Sequence, residues 1–237
     1  MNYYISDIHF GCQNSYDNRT LEHDKIVKDN WNRVVTNADN VYILGDIGKI
    51  GNNQDTEKLI EIIATLKGRK TLIAGNHDVL RDIRLRQLFV EVCDYKEIVD
   101  NYNGMNHKVV LSHYPILFWN GQHKGWLHLY GHVHMSDEWE VYKKSLDYVN
   151  EYFENRTKKG YTDCPPAVAY NVGAALPYMD WTPRTLKEII SVNSEKVLDI
   201  RLLFWYNTYV GRRNEFSDNE MQTKSWRINR CKKDSEN

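Results

Sequence analysis

An alternation in the first half of the chain constrains its fold more than any other feature. Three short apolar segments read as buried strands: Tyr3–Ser6, Val41–Leu44 and Thr71–Ala74. Between them lie segments with helical periodicity. One runs through Leu21, Ile26, Trp31, Val34 and Val35, and another covers roughly Thr56 to Leu66. A β-α-β-α-β order predicts parallel strands joined by crossover helices, because parallel neighbours need a long return connection. Parallel sheets of this class carry their sites at the carboxyl ends of the strands. Each of the three strands runs into polar residues there: Asp7-Ile8-His9, Gly45-Asp46, and Gly75-Asn76-His77-Asp78.

The second half is organised differently. Val109–Leu111, Trp126–Tyr130 and Ala167–Asn171 are strand candidates, which suggests a second group of strands. They deliver Ser112-His113 and Gly131-His132-Val133-His134. Alternate residues of an extended chain share a face, so Asp7 with His9, and His132 with His134, are expected to aim into one cleft. Between the last two strands, residues 137–159 place Trp139, Tyr142, Leu146, Val149 and Phe153 at helical spacing. An amphipathic helix that packs on the domain is expected, with a substrate lid as the alternative. Asp78 reads equally as a helix N-cap or as a catalytic group.

Asp7, His9, Asp46, Asn76, His113, His132 and His134 combine oxygen donors with imidazoles. That mixture suits Mn, Fe, Zn or Ni and suits calcium poorly. Two such ions about 3.5–4 Å apart need a bridging anion, which a carboxylate provides. A water shared by the pair would become an anionic nucleophile near neutral pH, suited to in-line attack on phosphorus. Each element alone is weak, but the ordered set DxH, GD, GNHD, H and GHxH is hard to obtain by chance.

Composition narrows the alternatives. The 237 residues carry a formal net charge of −1, so there is no general basic excess of the kind nucleic-acid and membrane binders show. Cys12, Cys93, Cys164 and Cys231 form no CxxC pair, which argues against a structural zinc site. The start, MNYYISDIHFG, does not read as a signal peptide, and no stretch approaches ~18 apolar residues. A cytoplasmic setting without membrane contact is therefore expected. The expected organisation is a catalytic domain over 1–193, with a helical insertion at about 137–159, and an appendage over 194–237. Within the appendage Val197–Tyr206 is apolar. Residues 221–233 carry Lys224, Arg227, Arg230, Lys232 and Lys233 without an acid.

The ordered set resembles that of the calcineurin-like metallophosphoesterase superfamily over roughly residues 1–192. Small bacterial and phage members are the nearest in pattern, through Trp31-Asn32, His113-Tyr114-Pro115 and Asn171-Val172-Gly173. The resemblance implies an α/β (α+β) fold, a two-sheet αββα sandwich of the metallo-dependent phosphatase type. It implies two divalent transition metal ions, one on Asp7, His9 and His134, the other on Asn76, His113 and His132, with Asp46 bridging. His77 would act beside them as general acid, and Asn76 would also touch phosphate. Arg19 and Tyr114 are further substrate-binding candidates, with Lys49 and His123 behind them. The implied activity is hydrolysis of a phosphodiester or phosphomonoester by a metal-bridging hydroxide, on a small-molecule phosphoester or a nucleotide. A nuclease acting on nucleic acid is the alternative reading, and a non-catalytic binding scaffold a third. The sequence leaves the oligomeric state open. It departs from the family pattern at Lys49, where many relatives carry a second Asp that orients the histidine, and at Cys12, where some carry His.

Overall fold

A computed structural model describes residues 1–12, 22–48, 52–78, 80–160 and 164–193. Arg19, Lys49, the apolar run at 197–206 and the basic run at 221–233 lie outside them. The strands are β1 (Asn2–Ile5), β2 (Asn40–Ile43), β3 (Arg69–Ile73), β4 (Glu91–Cys93), β5 (Tyr95–Tyr102), β6 (Met105–Ser112), β7 (Leu127–Tyr130), β8 (Val168–Asn171) and β9 (Arg184–Thr185). The helices are α1 (His23–Val34), α2 (Asn53–Thr65), α3 (Ile83–Arg86) and α4 (Asp137–Lys158), and residues 186–193 are also helical. The strands form two sheets, ordered β4-β3-β2-β1-β9 and β5-β6-β7-β8. The first is parallel except where β9 joins β1 antiparallel. In the second, β5 and β6 are antiparallel, while β6, β7 and β8 run parallel.

Side chains leave a strand to alternate faces, and that period of two sorts the layers. In β1, Tyr3 donates its hydroxyl to the Val34 carbonyl at the end of α1. Its neighbour Tyr4 donates to Asp100 on β5 of the other sheet. One face of the first sheet thus meets α1, and the other meets the second sheet. In β6, Val109 and Leu111 join the main core, while Val110 packs with Trp119 and Ala167 on the outer face. In β7, Leu127 and Leu129 face inward, and Tyr130 packs outward with Val133 and Tyr142. The outer face of the second sheet is covered by α4. The order of layers is helices, sheet, sheet, helix, as the resemblance implies.

The helices follow from their apolar spacing. In α1, His23, Val27 and Trp31 recur every four residues and are buried, and the Trp31 indole N–H donates to the Lys67 carbonyl. In α2, Asn52 caps the first turn by accepting from the Asp55 amide. In α4, Tyr142 and Val149 are buried and Trp139 and Leu146 pack on the sheet, so the helix is a packing layer.

Three features escape the periodicity argument. The hairpin β5–β6 turns at Asn103-Gly104, both with positive φ, which is the backbone an Asn-Gly pair favours in two-residue hairpins. Strand β4 has only three residues, too short to show a pattern. Strand β9 has two.

Candidate metal centre

The exits of β1, β2 and β3 from one sheet meet the ends of β6 and β7 from the other. The amides of Asp7 and His9 donate to the carbonyls of Gly45 and Asp46, so the first two exits stay paired after the strands end. The Ser6 amide donates to Val172, and Ala174 donates back to Ser6, which ties the β1 exit to the β8 exit. The amide of His132 lies 3.1 and 3.0 Å from the two Asp7 carboxylate oxygens and donates to them. These bonds bring residues 125 positions apart into one pocket.

The backbone achieves this by an unexpected route. Asp7, His9, Asp46, His132 and His134 have φ of 55°, 53°, 53°, 70° and 45°. All five are left-handed, a region non-glycine residues seldom occupy. Paired donors are therefore not presented by extended-chain alternation, as their i, i+2 spacing suggested. Left-handed turns on both sides of Ile8 and of Val133 do so, while those two apolar residues are buried. Such backbone costs on the order of 1–3 kcal/mol per residue and persists only where surrounding structure holds it. Close packing adds a further demand. A Cβ at Gly131 would collide with the Ser6 hydroxyl and the Asp7 carboxylate.

Two groups of donors result. Asp7, His9 and His134 lie within 4.8 Å of one another, and so do Asp7, Asp46 and His113. Asp46 Oδ2 is 3.7 Å from His9 Nε2 and 3.7 Å from His113 Nε2, equidistant from one histidine of each group. Asn76 Oδ1 is 2.9 Å from His113 Nε2 and 3.0 Å from His132 Nδ1. Donors holding one ion at about 2.1 Å and near-right angles sit ~3 Å apart, so this spacing suits shared coordination. All seven donors expected from the sequence thus converge. The two groups share Asp7, whereas the resemblance gives the shared place to Asp46. The Oδ2 of Asp46 spans one histidine from each group. Asp7 is engaged elsewhere, by the Ser6 hydroxyl at 2.6 Å and the His132 amide.

The electrostatics favour a cation. Burial raises the Asp7 carboxyl above its ordinary value, and His134 and His113 pull it back. Burial lowers His132, and His113 adds to the effect, so its neutral, ligating form is favoured. Among the described residues, the basic side chains within 4.0 Å of Asp7 and Asp46 are histidines. Buried carboxylates set among imidazole nitrogens are matched by a bound divalent ion. The donor set fits such ions.

The other candidates are placed as follows. The His77 ring is exposed and lies 5.7 Å from the His9 ring, and its amide donates to Asp46 Oδ1 at 2.9 Å. Tyr114 is half exposed, 4.3 Å from the His132 ring and 5.1 Å from the His113 ring. His123 is exposed on a short 3-10 turn. Asp78 caps no helix: α3 is capped by Asp82, and Asp78 instead accepts three loop amides. Two supporting residues carry no periodicity signal. Ser6 bonds Asp7 and the Leu44 carbonyl, and Asn171 donates to the His134 carbonyl while accepting from Gly173. His128 lies within β7, outside the site. It is fully buried, accepts from the Ile116 amide and faces the Val110 carbonyl.

The family model for calcineurin-like phosphoesterases matches residues 3–224. The chain belongs to the calcineurin-like phosphoesterase family. As a calcineurin-like phosphoesterase it resembles an uncharacterized protein of Methanocaldococcus jannaschii, 34% identical over 138 residues that cover 56% of this chain and 68% of that one. The Gene 66 protein of Mycobacterium phage D29 is 30% identical over 155 residues, covering 56% of this chain and 77% of the phage protein. Among solved structures, a protein of unknown function from Aquifex aeolicus shares the fold with a TM-score of 0.57 and 24% identity, over 81% of this chain and 98% of that one. Family members act in general as metal-dependent phosphoesterases. No helix among the described residues of this calcineurin-like phosphoesterase is long and apolar enough to cross a membrane.

Proposed function

We propose that the chain hydrolyses a small phosphoester, with a diester favoured, at a two-ion centre bridged by Asp46. The observation that carries this reading is the equal 3.7 Å separation of Asp46 Oδ2 from His9 and His113, one from each donor group. Asp7, His9 and His134 would hold one ion, and Asn76, His113 and His132 the other. Divalent ions there would supply Lewis acidity and neutralise charge building on the phosphoryl oxygens.

The chain's own residues do the rest. Asn76 is exposed at the mouth, with an amide nitrogen free to orient a phosphoryl oxygen while its oxygen faces the histidines. His77 is exposed beside His9, and it would give a proton to the leaving oxygen as its bond to phosphorus breaks. Tyr114 forms one wall against His132, a flat surface on which a planar leaving group or a base can rest. That wall supports a nucleotide-type diester as the substrate class.

The test is turnover of bis-p-nitrophenyl phosphate, p-nitrophenyl phosphate and cyclic nucleotides with Mn, Fe, Ni or Zn. The diester should turn over fastest. Asp46→Asn should lower the content of both ions and reduce kcat by about 10²-fold or more. His77→Gln should keep the ions and lower kcat by 10²–10⁴-fold, the usual range for a general acid. If Asp46→Asn retains both ions while Asp7→Asn loses both, the bridge is Asp7. No turnover with any of the four metals would defeat the reading.

A further inference from the structure

Asp78 is nearly buried, yet its carboxylate binds nothing that belongs to a helix or to the ladder of a strand. Oδ2 accepts from the Asp46 amide at 2.7 Å and the Gly75 amide at 2.8 Å, and Oδ1 accepts from the Ile47 amide at 3.0 Å. Two of these amides lie on the β2 exit and one on the β3 exit. The contact is reciprocal, because Asp46 on the β2 exit accepts through Oδ1 from the His77 amide on the β3 exit. Each loop therefore lends the other a carboxylate. Asp46 is held from its own amide by Asp78 while its side chain holds the neighbour of Asp78. Its left-handed backbone, φ 53°, lies inside this closed circuit.

The circuit has a clear chemical requirement. Three N–H donors converge on one side chain, and only a carboxylate offers acceptors on both branches. An Asn of the same shape would turn an NH2 group toward at least one amide and leave that donor facing another. A buried amide without an acceptor costs on the order of 1–3 kcal/mol, so the loops would part to reach water. Parting moves Asp46 and Asn76 relative to each other, and these are the donors from the two loops.

We propose that Asp78 is a positioning residue: with Asp46 it forms a two-way clasp that sets the spacing of the β2 and β3 exits, so that ion affinity and turnover depend on a side chain that touches neither ion nor substrate. The proposal rests on the reading of the site as a two-ion phosphoesterase centre. Outer residues that orient ligands are worth about 10–100-fold in metal affinity or activity, which sets the size of the effect.

The experiment compares the full chain with its Asp78→Asn variant, both titrated with Mn. The readouts are ions retained after desalting, half-activating Mn concentration, and kcat and KM for bis-p-nitrophenyl phosphate. The half-activating concentration should rise about 10-fold or more and kcat should fall 10–100-fold, with KM changed by less than about 3-fold. A variant with parental ion content, half-activating Mn and kcat overturns the proposal, even when its melting temperature is lower. If Asp78→Asn does not fold, amide hydrogen exchange on the unmodified protein decides. The Asp46, Ile47 and Gly75 amides should be protected to the level of the adjacent strands, and exchange at open-loop rates overturns the clasp. Absence of turnover in the unmodified chain with every metal would count against the phosphoesterase reading, and the exchange result is independent of that outcome.

Discussion

At the scale of single residues, two histidines show how burial decides chemistry. His128 sits in β7 with Nε2 accepting from the Ile116 amide and Nδ1 facing the Val110 carbonyl, so one neutral tautomer satisfies both neighbours. Desolvation lowers its pKa from 6.5 to about 4. The folded value lies below the unfolded one, so the contribution to stability is complete above about 6.5 and is lost as pH falls through about 4. Over that window the loss amounts to roughly 3 kcal/mol at most. Urea unfolding between pH 4 and 7 should show this loss in the parent and less of it in His128→Gln. Parallel pH profiles for the two would remove His128 from the acid response. His113 makes the same kind of backbone bond, through Nδ1 to the Leu44 carbonyl at 2.8 Å, but leaves Nε2 facing Asn76 and Asp46. Both histidines were separable in the sequence by context: His113 follows a strand and His128 lies within one. The left-handed backbone at Asp7, His9, Asp46, His132 and His134 was not legible. Asp and His are enriched at such angles relative to other non-glycine residues, but their presence does not require them.

At the scale of elements, the question is whether α4 serves the chemistry or the core. The Tyr142 ring packs edge-on to Tyr130, and its hydroxyl donates to the Ile116 carbonyl in the segment after His113. The same segment is held by Trp119, which donates to the Trp126 carbonyl, and by Gln122, which donates to Leu117. These bonds make it a fixed wall. Tyr142→Ala should therefore cost about 3–5 kcal/mol of stability, typical of removing a buried aromatic ring, with kcat within a few fold of the parent below the melting transition. A large rise or fall in KM with stability unchanged would instead mean that α4 gates substrate. Periodicity located α1, α2 and α4 because each buries one stripe of a surface helix, although in α1 the buried stripe is His23, Val27 and Trp31 and the expected Ile26 is exposed. It failed for β4 and β9, whose two or three residues cannot display a period, and for β5, which alternates exposed and half-buried residues along the sheet edge.

At the scale of the whole molecule, the seven donors lie along a seam. Asp7, His9, Asp46 and Asn76 follow strands of the first sheet, and His113, His132 and His134 follow strands of the second. Ions that bind the folded chain and not the unfolded one stabilise it by RT ln(1 + [L]/Kd), about 2.7 kcal/mol at 100-fold saturation. For a compact unit spanning Met1–Ile190, that corresponds to a rise of roughly 5–10 °C in melting temperature. Mn should produce such a rise, chelation should reverse it, and Asp46→Asn should abolish most of it. A melting temperature indifferent to Mn would mean that the cluster takes up no ion. The chain passes from one sheet to the other at Asp94, the single residue between β4 and β5, and β9 returns to pair with β1. Opening the polypeptide at Asp94 would leave Asp7, His9, Asp46 and Asn76 on one piece and the three histidines on the other. Neither piece alone carries a complete coordination set, so capture of an ion becomes a direct report that the two have come back together.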